Sequence, residues 1–346
     1  LCAVKAANFN RPAAGEGGIT GSLGPTFVPA RLNDYRVSFP GLSWALFSLT
    51  IGGCCCCGNL ASVLQNLDPG QPLPPEAQAT IDDYENLDGY ADVAFGEVSE
   101  LDLGGSDVVP ADLDRLQTLP GLKSLSLYSL SLEDEDLEHL RPLTQLENLV
   151  LYDNNLTGAS LDVLSGMTQL AELDLDDNTI EDANLVHLKQ LPNLQTLYLA
   201  RSGITDAGLE QLTGTRQLLY LYISGNDITD DGVKHLQQID NLSSVILSET
   251  QVTDTGVEHL RSHRRLSEVH FDYTNITDAA VTHLAAMPNL TNLSLTGTQV
   301  TDASVPVLKE MKGLVELYID YTQITPQGAR EVERALPGAS VYHDFD

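Results

Sequence analysis

The chain has 346 residues, 42% of them hydrophobic, enough to bury a sizeable core. A formal net charge of −31 at pH 7 excludes nucleic acid as a partner, because phosphates require a basic face. The five cysteines are Cys2 and the run Cys54, Cys55, Cys56 and Cys57, so the sequence after residue 57 has neither a disulfide framework nor a thiolate metal site.

The front of the chain follows different rules from the rest. Residues 1–66 hold four cations and two anions, a net +2, which leaves −33 for residues 67–346. Leu1 opens the chain and the first methionine is Met167, so either the start codon is non-standard or residues 1–36 lie upstream of the true start. Arg31 and Arg36 precede an uncharged stretch from Val37 to Leu67, the order of a basic n-region and an apolar h-region. Within it, Ile51-Gly52-Gly53-Cys54 resembles the bacterial lipoprotein box, which implies lipidation at Cys54, although the usual leading Leu and following Ala or Ser are missing. An uncleaved membrane anchor over residues 42–57 is the rival reading, with the same orientation; a mistranslated upstream stretch is the third. Residues 67–76, LDPGQPLPPE, read as a Pro-rich, semi-rigid tether. The expected location is therefore the cell envelope, exported and membrane-tethered, with the cytoplasm as the alternative.

Residues 77–97 read as an N-terminal cap, ending in a hairpin in which Ala91–Phe95 turns at Gly96-Glu97 into the first repeat strand. From there a Leu-x-Leu pair, or an apolar equivalent, recurs ten times at an unbroken period of 24, from Leu101/Leu103 to Leu317/Ile319. Such a period means a solenoid, and each pair reads as a short strand showing alternate residues to the core. Seven residues beyond each first Leu comes another apolar residue, from Val108 to Ile324. Five central copies continue with Thr-Asp, as in Thr229-Asp230, a helix N-cap. Leu209 and Leu212, three apart, mark the buried stripe of a short helix. Each copy is thus one strand and one helix, unable to bury its apolar side without neighbours. The last copy, ALPGASVYHDFD, is one residue short but offers Val341 as a closing strand, which predicts eleven parallel strands.

This phrase resembles the leucine-rich repeat in its 24-residue, ribonuclease-inhibitor-like form, and the variant TxITDxGLxxLxxLPxLxxLxL resembles proteins of planctomycete-type bacteria. The resemblance covers residues 98–346. It implies an α/β horseshoe with a parallel sheet on the concave side and short helices on the convex side. It also implies a turn-satisfying position, held here by Asn154, Asn178 and Asn226 and by Thr in the four copies from Thr250; Leu130 departs from it, and that turn is expected to be less well satisfied. Strands about 4.8 Å apart and helices about 8–10 Å apart predict a curvature of roughly 20° per repeat.

On such a curved sheet, side chains between and just after the two leucines face the hollow and are not dictated by the fold. They include Tyr128, Tyr152, Tyr198, Tyr222, Tyr318 and Tyr342, with Tyr273 and Tyr321 close behind and Tyr220 one residue before a strand leucine. Among them lie Asp102, Asp153, Asp174, Asp176, Asp177, Glu249, Asp272, Asp320 and Asp344, with Arg201 the one cation. Tyrosine also favours strands in its own right. As a recognition surface, however, this set supplies amphipathic contacts and an acidic tone that selects a basic protein or peptide.

His139, His187, His235, His259 and His283 recur before a buried leucine, but helices about 8–10 Å apart cannot bring them onto one metal. They read as solvated side chains, and the Asp-rich turns lack the spacing of a calcium loop. No nucleophile elbow, phosphate loop, His-Glu-x-x-His or dinucleotide fingerprint appears, so no catalytic residue, cofactor or metal is expected. The expectation is a monomeric, non-enzymatic binding scaffold. A substrate-recruiting subunit of an enzyme complex, similar to ubiquitin-ligase adaptors, and a structural spacer without a specific ligand are the alternatives.

Overall fold

A computed structural model describes residues 72–94 and 96–345. Each Leu-x-Leu pair forms a strand because its two leucines point to one side of the sheet and the residue between them to the other. The strands are β1 Tyr90–Ala94, β2 Glu97–Asp102, β3 Ser124–Ser126, β4 Asn148–Val150, β5 Glu172–Asp174, β6 Thr196–Tyr198 and β7 Tyr220–Tyr222. They continue with β8 Ser244–Ile246, β9 Glu268–His270, β10 Asn292–Ser294, β11 Glu316–Tyr318 and β12 Ser340–Tyr342. All twelve lie in one sheet in chain order. β1 runs antiparallel to β2, as the hairpin reading requires, with a register shift between Asp92 and Val93; Phe95 lies outside the described residues. β2 to β12 are the eleven parallel strands expected. Their register pairs Leu101 with Leu125 at one end and Leu317 with Val341 at the other, so the predicted one-residue shortening does not reach β12.

Inside the sheet runs one continuous apolar column. Leu101, Leu125, Leu149, Leu173, Leu197, Leu221, Leu293 and Leu317 expose nothing, and the apolar position seven residues on is at most 5% exposed in every copy. Packing links each strand and each helix to its counterparts in the adjacent repeats, as in a one-dimensional stack. The described residues form an open, horseshoe-like leucine-rich-repeat solenoid.

The convex segments divide into two kinds. Asp206–Gln211, Asp230–Leu236, Asp254–Leu260, Asp278–Leu284 and Pro326–Ala335 are α-helical, each capped by a Thr whose hydroxyl accepts a backbone N–H. Pro110–Thr118, Asp134–Leu140, Leu161–Gly166 and Asp182–Gln190 are 3-10 helices instead, preceded by Val109, Glu133, Ser160 and Glu181, whose side chains accept nothing there. A Thr301-capped 3-10 turn, Asp302–Ser304, passes directly into the short α-helix Val305–Leu308.

The Thr-Asp dipeptide does more than cap. Asp230 accepts from the backbone N–H of Thr253 at 2.8 Å and from its hydroxyl at 2.6 Å, one repeat later. The same pair of bonds joins Asp182 to Thr205, Asp206 to Thr229, Asp254 to Thr277, Asp278 to Thr301 and Asp302 to Thr325. These bonds explain the glycine two residues after the Asp: a Cβ at Gly232 would stand 2.1 Å from Asp206 Oδ1. Ala280 and Ser304 hold the equivalent place, and there the preceding Asp takes a further bond, from the Ala280 N–H at 3.2 Å and from the Ser304 hydroxyl.

Two expectations are corrected. The turn at Leu130 is served from the next repeat: Asn154 Oδ1 accepts from the Leu130 and Leu132 N–H groups at 3.1 and 3.0 Å, and its amide donates to the Leu127 and Leu151 carbonyls. The tether reading over residues 67–76 runs into an α-helix, Pro75–Glu85, because proline fits a first helical turn whose N–H groups are unpaired anyway. That helix closes the N-terminal end of the core with Ala77, Ile81 and Tyr84, whose hydroxyl donates to the Asp112 carbonyl at 2.9 Å. Residues 72–74 of the tether are irregular chain, and the stretch through residue 71 lies outside the described residues.

Candidate functional site

The concave sheet presents two columns of strand side chains and, beyond them, a lip. The column between the leucines carries Asp174, Tyr198, Tyr222, Ile246, His270, Ser294, Tyr318 and Tyr342 from β5 to β12. Because side chains alternate along a strand, the residue before each first leucine also faces the hollow. Sequence reasoning missed Glu172, Glu268 and Glu316 there, and His270 between the leucines. The period-2 rule that placed Tyr198 would have found all four.

Tyrosines 24 residues apart lie on adjacent strands, close enough for their rings to stack. Tyr198 and Tyr222 stack with centroids 4.4 Å apart, as do Tyr318 and Tyr342; Tyr128 and Tyr152, just after the leucines, stack at 4.7 Å. A Cβ on Gly104 would lie 2.1 Å from the Tyr128 ring, so this glycine makes room for that stack. The three stacks are separate. Between Tyr222 and Tyr318 stand Ile246, His270 and Ser294, so Tyr198, Tyr222, Tyr318 and Tyr321 do not form one contiguous set.

Acid side chains brace these rings. Tyr198 donates its hydroxyl to Glu172, whose carboxyl is pushed above its ordinary value by burial. Burial pushes the Tyr222 and Tyr318 hydroxyls up to about 12. Glu268 is held below the usual carboxylate range by His270, 3.3 Å away, and His270 meets the Tyr318 ring at 6.4 Å.

Several predicted contact residues turn out to serve the sheet itself. Asp174 and Asp176 are each only 8% exposed; Asp174 accepts from the Asp176 N–H, and Asp176 from the Ala200 N–H at 2.6 Å. Arg201 holds Asp177 through two bonds of 2.6 and 2.7 Å, and its stem lies against Gly225. Asp272 accepts from the Ser248 and Ser294 hydroxyls and the Thr296 N–H. Glu249, Tyr273 and Tyr321 stand on the lip, Tyr273 at 55% and Tyr321 at 65% exposure, with Asp320 half-buried beside them. Burial raises the Asp320 carboxyl, aided by Asp344 and Asp272.

On the convex side the five repeat histidines are half-buried rather than fully solvated, and His139 meets Asp114 at 2.9 Å. Among the described residues no three His, Cys, Asp or Glu side chains converge as metal ligands, and no helix is long and apolar enough to cross a membrane. Cys54 and residues 42–57 lie outside the described residues.

Residues 144–204 match one leucine rich repeat family model and residues 216–236 another. No curated protein sequence matches the chain. Among solved structures it is similar to an internalin (inlF) from Listeria monocytogenes at 20% identity and a TM-score of 0.53, over 78% of this chain and 91% of that one. A leucine-rich-repeat protein of Leptospira interrogans is 22% identical with a TM-score of 0.51, over 66% of this chain and 56% of that one. A chain of the mouse RP105/MD-1 complex is 22% identical with a TM-score of 0.50, over 61% of this chain and 36% of that one. Likeness at these identities establishes the fold and nothing finer.

Proposed function

From an open leucine-rich-repeat solenoid, a scaffold type that generally serves protein–protein interaction and is generally non-enzymatic, we propose that this chain binds a basic protein or peptide across its concave face. One observation carries the reading: tyrosines and carboxylates line a single hollow surface, Tyr222, Tyr318, Tyr342, Glu268 and Glu316 among them. Aromatic rings on rigid strands supply contact area at small entropic cost, and the acidic tone draws and orients a basic partner. The chain acts as a monomer of the 24-residue TxITDxGL variety, and a lipid on Cys54 tethers it to the envelope membrane.

The test is capture by the full chain beside the same chain carrying Tyr222→Ala and Tyr318→Ala. A saturable basic protein held by the first and released by the second supports the reading. Equal capture by both, or none by either, removes it. For the tether, Cys54→Ser should abolish processing and shift detergent partitioning. A mutant that stays membrane-bound at unchanged mass points instead to an uncleaved anchor.

A further inference from the structure

The residue two places after each second leucine has a positive φ in all ten repeats: Gly105, Ser129, Asp153, Asp177, Arg201, Gly225, Glu249, Tyr273, Gly297 and Tyr321. This left-handed backbone suits glycine and is least suited to bulky side chains. Three repeats use glycine there, so the turn itself does not call for a tyrosine. Tyr273 and Tyr321 nevertheless occupy it, at φ 56° and 52°, and are more exposed than the stacked strand tyrosines. They flank Gly297, whose missing side chain leaves the Tyr273 ring lying over it, and the Tyr273 N–H stays in the sheet ladder at 2.8 Å from the Thr296 carbonyl. Asp272 and Asp320 directly precede these tyrosines in the chain, Glu249 holds the place of Tyr273 one repeat earlier, and Asp344 holds the place of Asp320 one repeat later. Two exposed tyrosines, their backbones two repeats or about 10 Å apart, thus share one rigid ladder with these carboxylates.

We propose that Tyr273 and Tyr321, with Asp320 and Asp344, form a subsite for an arginine side chain of the basic partner, an assignment that rests on the concave-face reading. A guanidinium stacks on aromatic faces and pairs with carboxylates through a planar fork, which a lysine ammonium or a neutral ligand does not reproduce. Two large aromatics at strained positions serve contact rather than the fold.

The probe is an acetylated, amidated (Arg-Gly)4 peptide, titrated calorimetrically into the full chain beside its lysine counterpart and maltohexaose. The arginine peptide should bind most tightly. Y273G/Y321G should weaken it about ten-fold or more without lowering Tm, since glycine relieves the left-handed strain. Y273F/Y321F should stay within about two-fold, because the rings remain. Tyr321→Ser, the residue type at position 129, gives a single-site version of the same comparison. Full affinity in Y273G/Y321G, a clear fall in its Tm, or preference for lysine or maltohexaose would each overturn the subsite. Loss of the peptide in Y198A/Y222A with full affinity in Y273G/Y321G moves the contact to the strands: the concave-face reading then stands and the lip assignment fails. If the wild type binds no peptide, the subsite falls, and the capture experiment alone judges the broader reading.

Discussion

Leu197 exposes none of its surface and is surrounded by residues of its own and both adjacent repeats, so little of the structure can collapse into the space it fills. Leu197→Ala should cost about 2–5 kcal/mol, from lost burial and the cavity left behind, measured by denaturant unfolding. Glu172 gives a prediction of the opposite sign. Burial raises its carboxyl in the fold, so its contribution is intact below the unfolded pKa and is lost as pH rises through the folded one. Glu172→Gln, whose amide oxygen still accepts from the Tyr198 hydroxyl, should therefore melt higher than wild type at about pH 7 and together with it at about pH 3.5. At this scale the buried leucines were legible because a period of 24 repeats them ten times. The roles of Asp174 and Asp176 were not, since an exposed carboxylate and one closed off against the next strand look alike in sequence.

The capping element couples repeats as well as starting helices. Thr253 caps its own helix, accepting from the Thr255 N–H at 3.4 Å, and donates to Asp230. Thr253→Val should cost about 1–2 kcal/mol. Asp230→Ala removes the acceptor for the Thr253 hydroxyl and N–H together, and should cost about 1–3 kcal/mol. Because the two share their bonds, the double variant should cost less than the sum by at least about 0.5 kcal/mol in a double-mutant cycle; strict additivity would mean the bridge carries no coupling. The N-cap was readable from Thr followed by a helical apolar pattern. The bridge was not, because its two halves lie 23 residues apart and meet only once the repeats stack. Likewise the helix Pro75–Glu85 was masked by its prolines, which punctuate a sequence in the same way whether they start a helix or extend a linker.

For the molecule as a whole, stacking between neighbours makes length a variable. Deleting residues 230–253, one period, joins Thr229 to Asp254 and restores the phrase Ile-Thr-Asp. This shortened chain should unfold cooperatively, with a denaturant slope lower by about a tenth, in proportion to the surface one repeat buries. Deleting half a period should abolish cooperative unfolding, because every later strand would enter the sheet out of register.

The sequence by itself determined the pitch, the number of strands and the inward leucines, because each follows from a pattern that repeats within one chain direction. The structure alone shows that every copy turns left-handed two places after its second leucine, where Gly105, Gly225 and Gly297 recur. Only the tertiary structure decided which tyrosines stack and which stand free, which carboxylates are braces, and that Asn154 serves the turn at Leu130. Those are contacts between repeats, set by the 4.4–4.7 Å approach of side chains that the sequence separates by 24 residues. A strand pattern fixes the face on which a side chain lies, whereas its partners depend on how closely the next repeat packs.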